Sequence, residues 1–373
     1  MPTEDDWSHL RAEIRRVDEE IFDLVAQRLS LAAEIGDAKR VRGLPVKNYQ
    51  VERAVLDRAR TQATALGISE ELAVALTRLL IDSSCRVQEV RFDVRSSTDP
   101  SKANETRIAI VGGHGRMGQW LGRFFESFGH LVSVLDPQPA PISCPYPVLS
   151  DLSETADHDA IVLATPISTT ASLLRQLTST RTRALVFDIC SLKTPLLSAI
   201  AAAEDAGMRI TSVHPMFGPA VESLVGRNIV VCEGREREAS QAAAAFFGGS
   251  AAAVLRVPLE RHDELMGIVL GLSHLTSLVF NEAIVRNGSR HGSLREVAST
   301  TFDAQCAVSE RVAMESPDLY YEIQAENAFT PQVLNALHGA LGAYTRAINE
   351  RDPAAFRDLM DRGRRYFADP DPS

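Results

Sequence analysis

Residues 108–136 read IAIVGGHGRMGQWLGRFFESFGHLVSVLD. Ile108–Val111 is a short apolar run rich in β-branched residues. Gly113, Gly115 and Gly118 then follow in G-x-G-x-x-G spacing, a helix-like segment comes next, and a second apolar run ends at Asp136. Strand, tight turn, helix, strand and acid is the order of a dinucleotide-binding unit. The glycines permit the turn, let a pyrophosphate approach the amides and let helix and strand pack closely, while the helix N-terminus faces the negative charge. Asp136 lies 18 residues beyond Gly118. An acid there accepts hydrogen bonds from an adenosine ribose and repels a 2′-phosphate, so NAD is expected over NADP.

Composition sets the frame around this unit. A chain of 373 residues, 45% of them hydrophobic, is long enough for two or three domains with real cores. No uninterrupted apolar run reaches the length of a membrane span, and the N-terminus MPTEDDWSHL is acidic rather than a signal peptide, so a cytoplasmic protein is expected. Five scattered cysteines without a C-x-x-C pair suggest neither disulfides nor a metal site. A net charge of −10 argues against a nucleic-acid partner. An anionic small-molecule substrate would need a few placed arginines.

Residues 5–42 read as one long helix with a seven-residue repeat. One column is Trp7, Ile14, Ile21, Arg28 and Ile35, the other Leu10, Val17, Leu24, Leu31 and Ala38. Such a repeat marks helices that wrap one another, so a partner chain is expected. Arg28 interrupts the seam, and a guanidinium there needs either an anion or an ion pair. Lys39 shares its face, three turns on, whereas Arg11 points about 100° away and could join the same site only from another chain. A second helix is expected from Tyr49 to Leu66, and a third, capped by Ser69, runs to about Phe92 with Ser84 and Gln88 on one face.

Residues 96–106 are polar and carry Pro100, as a linker does. The nucleotide-binding domain is expected over residues 107–257. Ala160–Leu163 and Ala184–Phe187 read as further strands. The loops after them, with Thr165 and Pro166 in the first and Asp188, Ser191 and Lys193 in the second, should flank cofactor and substrate, because ligands of doubly wound sheets bind beyond strand C-termini. His214 begins the loop HPMFGP on the same edge. From Pro258 to residue 366 the pattern is helical. Leu259 to Arg286 is apolar all round, as expected of a helix buried in a dimer core, and further helices are predicted at Leu294–Met314, Asp318–Phe329, Pro331–Glu350 and Pro353–Tyr366. Residues 367–373 form a tail.

On these residues, 1–95 resemble the helical chorismate mutase domain fused to prephenate dehydrogenase in bacterial tyrosine biosynthesis, and the resemblance extends over about residues 8–365. It implies an all-α intertwined mutase dimer, then an α/β Rossmann domain, then an all-α substrate and dimerisation domain. In the mutase half it implies that Arg11, Arg28 and Ser84 bind substrate carboxylates and neighbouring groups, that Lys39 and Gln88 donate to the breaking ether oxygen, and that Glu52 accepts from the ring 4-substituent. Two positions depart from the family pattern: Asn48 stands for an aspartate and Val51 for an arginine. In the other half the H-P-M-F-G segment implies that His214 meets the substrate's 4-hydroxyl. Asp188, Ser191 and Lys193 match a D-x-x-S-x-K segment, and His274 and Arg311 match substrate-binding positions. The expected chemistry is a pericyclic shift followed by NAD-dependent oxidative decarboxylation in a homodimer. The alternatives are the same two reactions on a 4-amino-4-deoxy substrate, and a mutase module kept only for dimerisation or effector binding.

Overall fold

The computed structural model describes residues 4–42, 49–90, 106–141, 144–180, 182–221 and 223–368. The chain forms two compact units, Met1–Ser191 with Leu196–Leu259 and Leu192–Pro195 with Glu260–Ser373. Helical module and nucleotide-binding domain, which the sequence separates by a linker, therefore share the first unit.

Three helices begin that unit: α1 (Glu4–Arg42), α2 (Tyr49–Leu66) and α3 (Glu70–Val90). Gly67, at φ +68°, ends α2 in the left-handed region where a side chain is strained, and the Ser69 hydroxyl then accepts the Leu72 N–H at 3.2 Å to start α3. The seven-residue seam of α1 is open to solvent: Trp7, Leu10, Ile14, Val17, Ile21, Leu24, Leu31 and Ile35 are all exposed. A different face, bearing the buried Ala32, Ala33 and Gly36, packs within the chain. Apolar rows on two sides of one helix mean that the in-chain contact does not use up the repeat.

The sheet follows as β1 (Arg107–Val111), α4 (Arg116–Ser127), β2 (Leu131–Leu135), β3 (Val148–Leu149), β4 (Ala160–Leu163), α5 (Ile167–Thr180), β5 (Leu185–Asp188), α6 (Leu197–Asp205), β6 (Ile210–Pro215), β7 (Asn228–Glu233), α7 (Arg237–Gly248) and β8 (Ala253–Pro258). Strand order is β3-β2-β1-β4-β5-β6-β7-β8, parallel except for β6 against β7. Central strands β1, β4 and β5 are buried almost throughout, as parallel strands covered on both faces must be. Trp120, Phe124, Phe125 and Phe247 from α4 and α7 fill one face, with the Trp120 and Phe124 rings stacked at 5.2 Å.

The second unit is helical. The expected Leu259–Arg286 helix extends to Asn287, but as α8 (Leu259–Met266), a π-helical turn (Gly267–Leu272) and α9 (Ser273–Asn287). Gly267 lets Phe329 and Val333 lie 3.4 and 3.5 Å from where a Cβ would sit. Gly288, at φ +75°, stops α9. By length and composition this run is apolar enough to cross a membrane, with mean hydropathy 1.6 over a window only 11% buried. The single helix predicted over Leu294–Met314 is two, α10 (His291–Glu296) and α11 (Thr300–Ala313), because Ser299 is extended and its hydroxyl caps the Phe302 N–H at 3.2 Å. Helices α12 (Pro317–Ala325), α13 (Thr330–Asn349) and α14 (Pro353–Ala368) complete it.

Candidate functional site

The glycine loop has the shape a pyrophosphate needs. Gly112 takes φ +84°, and a Cβ there would lie 2.5 Å from the Ala164 carbonyl oxygen. At Gly113 a Cβ would meet Val134 at 2.5 Å, and at Gly118 it would meet the Gly112 carbonyl at 2.2 Å. Gly115 is the N-cap of α4 and no side chain caps the helix, so its first amides face outward. Asp136, just past β2, accepts the His114 N–H on Oδ2 at 3.0 Å and the Gln138 N–H on Oδ1 at 2.9 Å. The fit to a dinucleotide rests on this cradle with an acid beside it. Gly112, which lies outside the G-x-G-x-x-G register, is the loop's left-handed residue and was not singled out by spacing. Thr165 and Pro166 follow β4 as expected. The Thr165 hydroxyl bonds that of Thr170 at 2.8 Å, and the Pro166 carbonyl accepts the Thr169 and Thr170 N–H groups to begin α5.

His214, expected to begin the loop, is instead the penultimate residue of strand β6, 4% exposed and in register with Val230, because the ladder to β7 runs on through Pro215. Its loop is held by Phe217, whose ring meets Trp120 edge-on at 5.1 Å. Asp188, at the end of β5, is 1% exposed and binds the Ser212 hydroxyl and, at 2.9 Å, the Cys190 N–H. It shapes the strand ends rather than facing solvent. Ser191 is half-buried in the next turn.

In the helical unit Lys193 is fully buried. Its backbone N–H, and that of Thr194, donate to the Asp263 carboxylate at 2.9 and 2.6 Å, and His262 Nδ1 lies 2.6 Å from Asp263 Oδ1. Burial pushes Asp263 upward, but the bonds from His262, Thr194 and Lys193 outweigh it and hold the carboxyl at about 2. The sequence gives no signal for this anchor, because its partners are about 70 residues away. His274 stacks on Tyr320 with ring centroids 4.3 Å apart, and burial lowers its pKa. Arg311 ends α11 with its guanidinium exposed, donating to the Ala307 carbonyl at 3.2 Å.

In the N-terminal helices Arg28 reaches across to α3, donating to the Leu80 carbonyl at 2.7 Å and the Ser84 hydroxyl at 2.5 Å. Burial lowers its pKa and that of Lys39; Cys85 opposes this for both, and Glu52 does so for Lys39. Arg28 and Ser84 are thus in direct contact, and buried Cys85 and Glu52 lie near enough to act on the charge of Lys39. Cys85 is also a buried member of the apolar cluster. Glu52 is 5% exposed, whereas Val51 is 55% exposed. Positions 51 and 52 therefore lie in different environments within the chain. Arg11 is exposed. Gln88 lies in α3, but its side chain, like residue Asn48, is outside the described residues. Among the described residues no group of three metal-ligating side chains converges.

Comparison with known proteins matches three models in order. Residues 10–89 match chorismate mutase type II, 143–249 the prephenate dehydrogenase nucleotide-binding domain, and 258–362 the prephenate dehydrogenase dimerization domain. A T-protein from Enterobacter agglomerans is 27% identical over 364 residues, 96% of this chain and 92% of the relative. The T-protein of Haemophilus influenzae is 24% identical over 362 residues, with the same coverage. A prephenate dehydrogenase from A. aeolicus, solved with hydroxyphenyl propionate and NAD+, superposes with a TM-score of 0.58 at 17% identity, over 72% of this chain and 99% of that one.

Proposed function

This chain belongs to the bifunctional chorismate mutase/prephenate dehydrogenase family, and we propose that its two halves act in series, each through the residues assembled above. It is an enzyme with both activities, and NAD is the cofactor of the dehydrogenase half. The observation that carries the reading is the order of three matched modules along one chain, with relatives aligned over 96% of it.

The mutase step is a unimolecular rearrangement that needs no base or nucleophile. Arg28 holds one substrate carboxylate with Ser84 beside it, and Arg11 of a second copy holds the other. Lys39 and Gln88 donate to the ether oxygen as its C–O bond breaks. A donor aimed at developing charge contributes roughly 3–4 kcal/mol, and holding the reactive conformer contributes more. Glu52 accepts from the ring 4-substituent. Homodimerisation supplies the partner for the exposed seam of α1 and for the apolar Leu259–Asn287 run, and a cytoplasmic location suits this chemistry.

In the dehydrogenase, NAD held by the glycine cradle and Asp136 supplies the acceptor for the hydride that leaves ring C4. His214 takes or orients the 4-hydroxyl proton. Arg311 and His274 bind the substrate's anionic and ring groups, with Ser191 at the strand edge. Lys193, whose backbone N–H is held by Asp263, is the weaker candidate for a substrate carboxylate. The ring carboxylate leaves as CO₂ and the ring becomes aromatic, which drives the step, so the protein's work is alignment. Assaying the purified chain on chorismate, with and without NAD⁺, tests the whole reading. The expected result is prephenate without cofactor and 4-hydroxyphenylpyruvate with stoichiometric NADH when NAD⁺ is added. A chain that consumes chorismate but forms no NADH would leave the dehydrogenase half unsupported.

A further inference from the structure

Glu52 lies in the first turn of α2, yet the bonds that orient it come from the nucleotide-binding domain. Its Oε2 accepts the Ser223 hydroxyl at 3.2 Å and the Leu224 N–H at 3.1 Å. Ser223 Oγ in turn accepts the Val225 N–H at 3.1 Å while its own proton goes to Glu52. Glu52, Ser223 and Leu224 are 5%, 2% and 0% exposed. Around them Leu56, Ile81 and Cys85 of the helical module share one apolar cluster with Val221, Leu224 and Val225, and Arg53 Nη1 donates to the Ser250 carbonyl at 3.2 Å. The contact is buried and apolar around the hydrogen bonds.

We propose that Ser223 is a positioning residue for the mutase reaction, contributed by the nucleotide-binding domain and acting through Glu52. A glutamate has three rotatable side-chain bonds, and its carboxylate must point one way to accept from the ring substituent. The Ser223 hydroxyl and the Leu224 amide both donate to Oε2, which fixes the carboxylate and with it the direction of the other oxygen. Pre-set orientation of this kind is where catalytic sites lose most when a supporting bond is removed.

The inference rests on the mutase reading of the helical module, and the test separates the two. Mutase kcat/KM on chorismate is measured in the full-length protein and in its Ser223→Ala, Ser223→Thr, Glu52→Gln and Ser223→Ala/Glu52→Gln variants, with dehydrogenase kcat/KM on prephenate as the check of folding. Ser223→Ala is expected to lower mutase kcat/KM roughly tenfold, the worth of one hydrogen bond to a charged group, with the dehydrogenase unchanged. Threonine should restore it. In the Glu52→Gln background the alanine should cost nothing more, because the effect travels through Glu52. Full mutase activity in Ser223→Ala overturns the proposal, as does a loss that simply multiplies with that of Glu52→Gln. A wild-type protein that does not convert chorismate would instead overturn the mutase reading and take this inference with it.

Discussion

Asp136 is tied to His114: its Oδ2 accepts the His114 N–H at 3.0 Å, so the acid beyond β2 is braced against the glycine loop. The carboxylate thus has two functions, discrimination by charge and support of the loop. Asp136→Asn separates them, since the amide oxygen can still accept from His114 while the negative charge is gone. NAD⁺ is expected to be preferred over NADP⁺ in the wild type. Asp136→Asn should narrow the ratio of kcat/KM values about tenfold, the scale of one screened charge repulsion at a few ångströms, while Asp136→Ala should also raise the KM for NAD⁺. Equal efficiency with both cofactors in the unmodified enzyme would count against the assignment.

His214→Asn keeps a hydrogen-bonding group near the position of the inner ring nitrogen but cannot take the proton. It should leave NAD⁺ affinity near normal and lower dehydrogenase kcat by about 10²–10⁴, the usual scale for a lost general base. Fluorescence titration of NAD⁺ alongside steady-state kinetics reads both. A loss below tenfold would return His214 to a packing role, which its 4% exposure also permits.

The open seam of α1 predicts complementation between chains. Arg11→Ala and Arg28→Ala should each abolish mutase activity alone. In an isologous dimer, mixing and re-equilibrating the two should restore roughly a quarter of wild-type activity, since half the dimers are mixed and one of their two sites is intact. Failure to recover activity, in chains that light scattering shows to be exchanging dimers, would place Arg11 outside the site.

How far the sequence reaches is visible in individual residues. The strand, glycine loop and acid of 108–136 are local signals, and β1, α4, β2 and Asp136 fall where they predict. The C-terminal end of α2 is likewise local, set by Gly67 at φ +68°. What the sequence does not carry is pairing across distance. The anomaly at Arg28 is legible, but its bonds to Leu80 and Ser84 are not. Glu52 reads as a helix residue, while its Ser223 partner is 171 positions away. The break at Ser299 was missed because the apolar period runs on through it, and only the cap geometry shows that the backbone turns out there. Asp263 carries no motif at all, and its importance comes from the two amides of Lys193 and Thr194 that fold back onto it.

That anchor has a pH signature. Asp263 is held at about 2, below the ordinary unfolded carboxyl near 3.9. A group depressed on folding stabilises the native state above its unfolded pKa, and that contribution disappears as pH falls through the folded value. The helical unit should therefore lose on the order of 2 kcal/mol between about pH 4 and pH 2. Asp263→Asn should flatten this slope while lowering stability at neutral pH by a similar amount. Urea unfolding followed by circular dichroism at several pH values would show it. An unchanged acid slope in the variant would mean that Asp263 does not carry the linkage.

Position 51 offers a test of what the mutase site reads on the substrate ring. The family pattern has an arginine there, and this chain has Val51 beside Glu52. A neutral 4-hydroxyl tolerates a nearby arginine, whereas a 4-amino group can be an ammonium at neutral pH. Like charges at 4–6 Å cost on the order of 1 kcal/mol even when screened, and more when desolvated. Val51 is 55% exposed in the single chain while Glu52 is buried, so an arginine at 51 would have to reach back toward the site or lie where a second copy of α1 meets it. In either place Val51→Arg should raise kcat/KM for chorismate, by adding a donor to the hydroxyl, and lower it for 4-amino-4-deoxychorismate. Glu52→Gln should weaken the amino substrate more than the hydroxyl one, since it removes a charge attraction that an ammonium feels and a hydroxyl does not. Competition assays with both compounds give the ratio directly. If Val51→Arg moves both substrates by the same factor, position 51 does not sense the 4-substituent and the departure from the family pattern has no bearing on substrate choice.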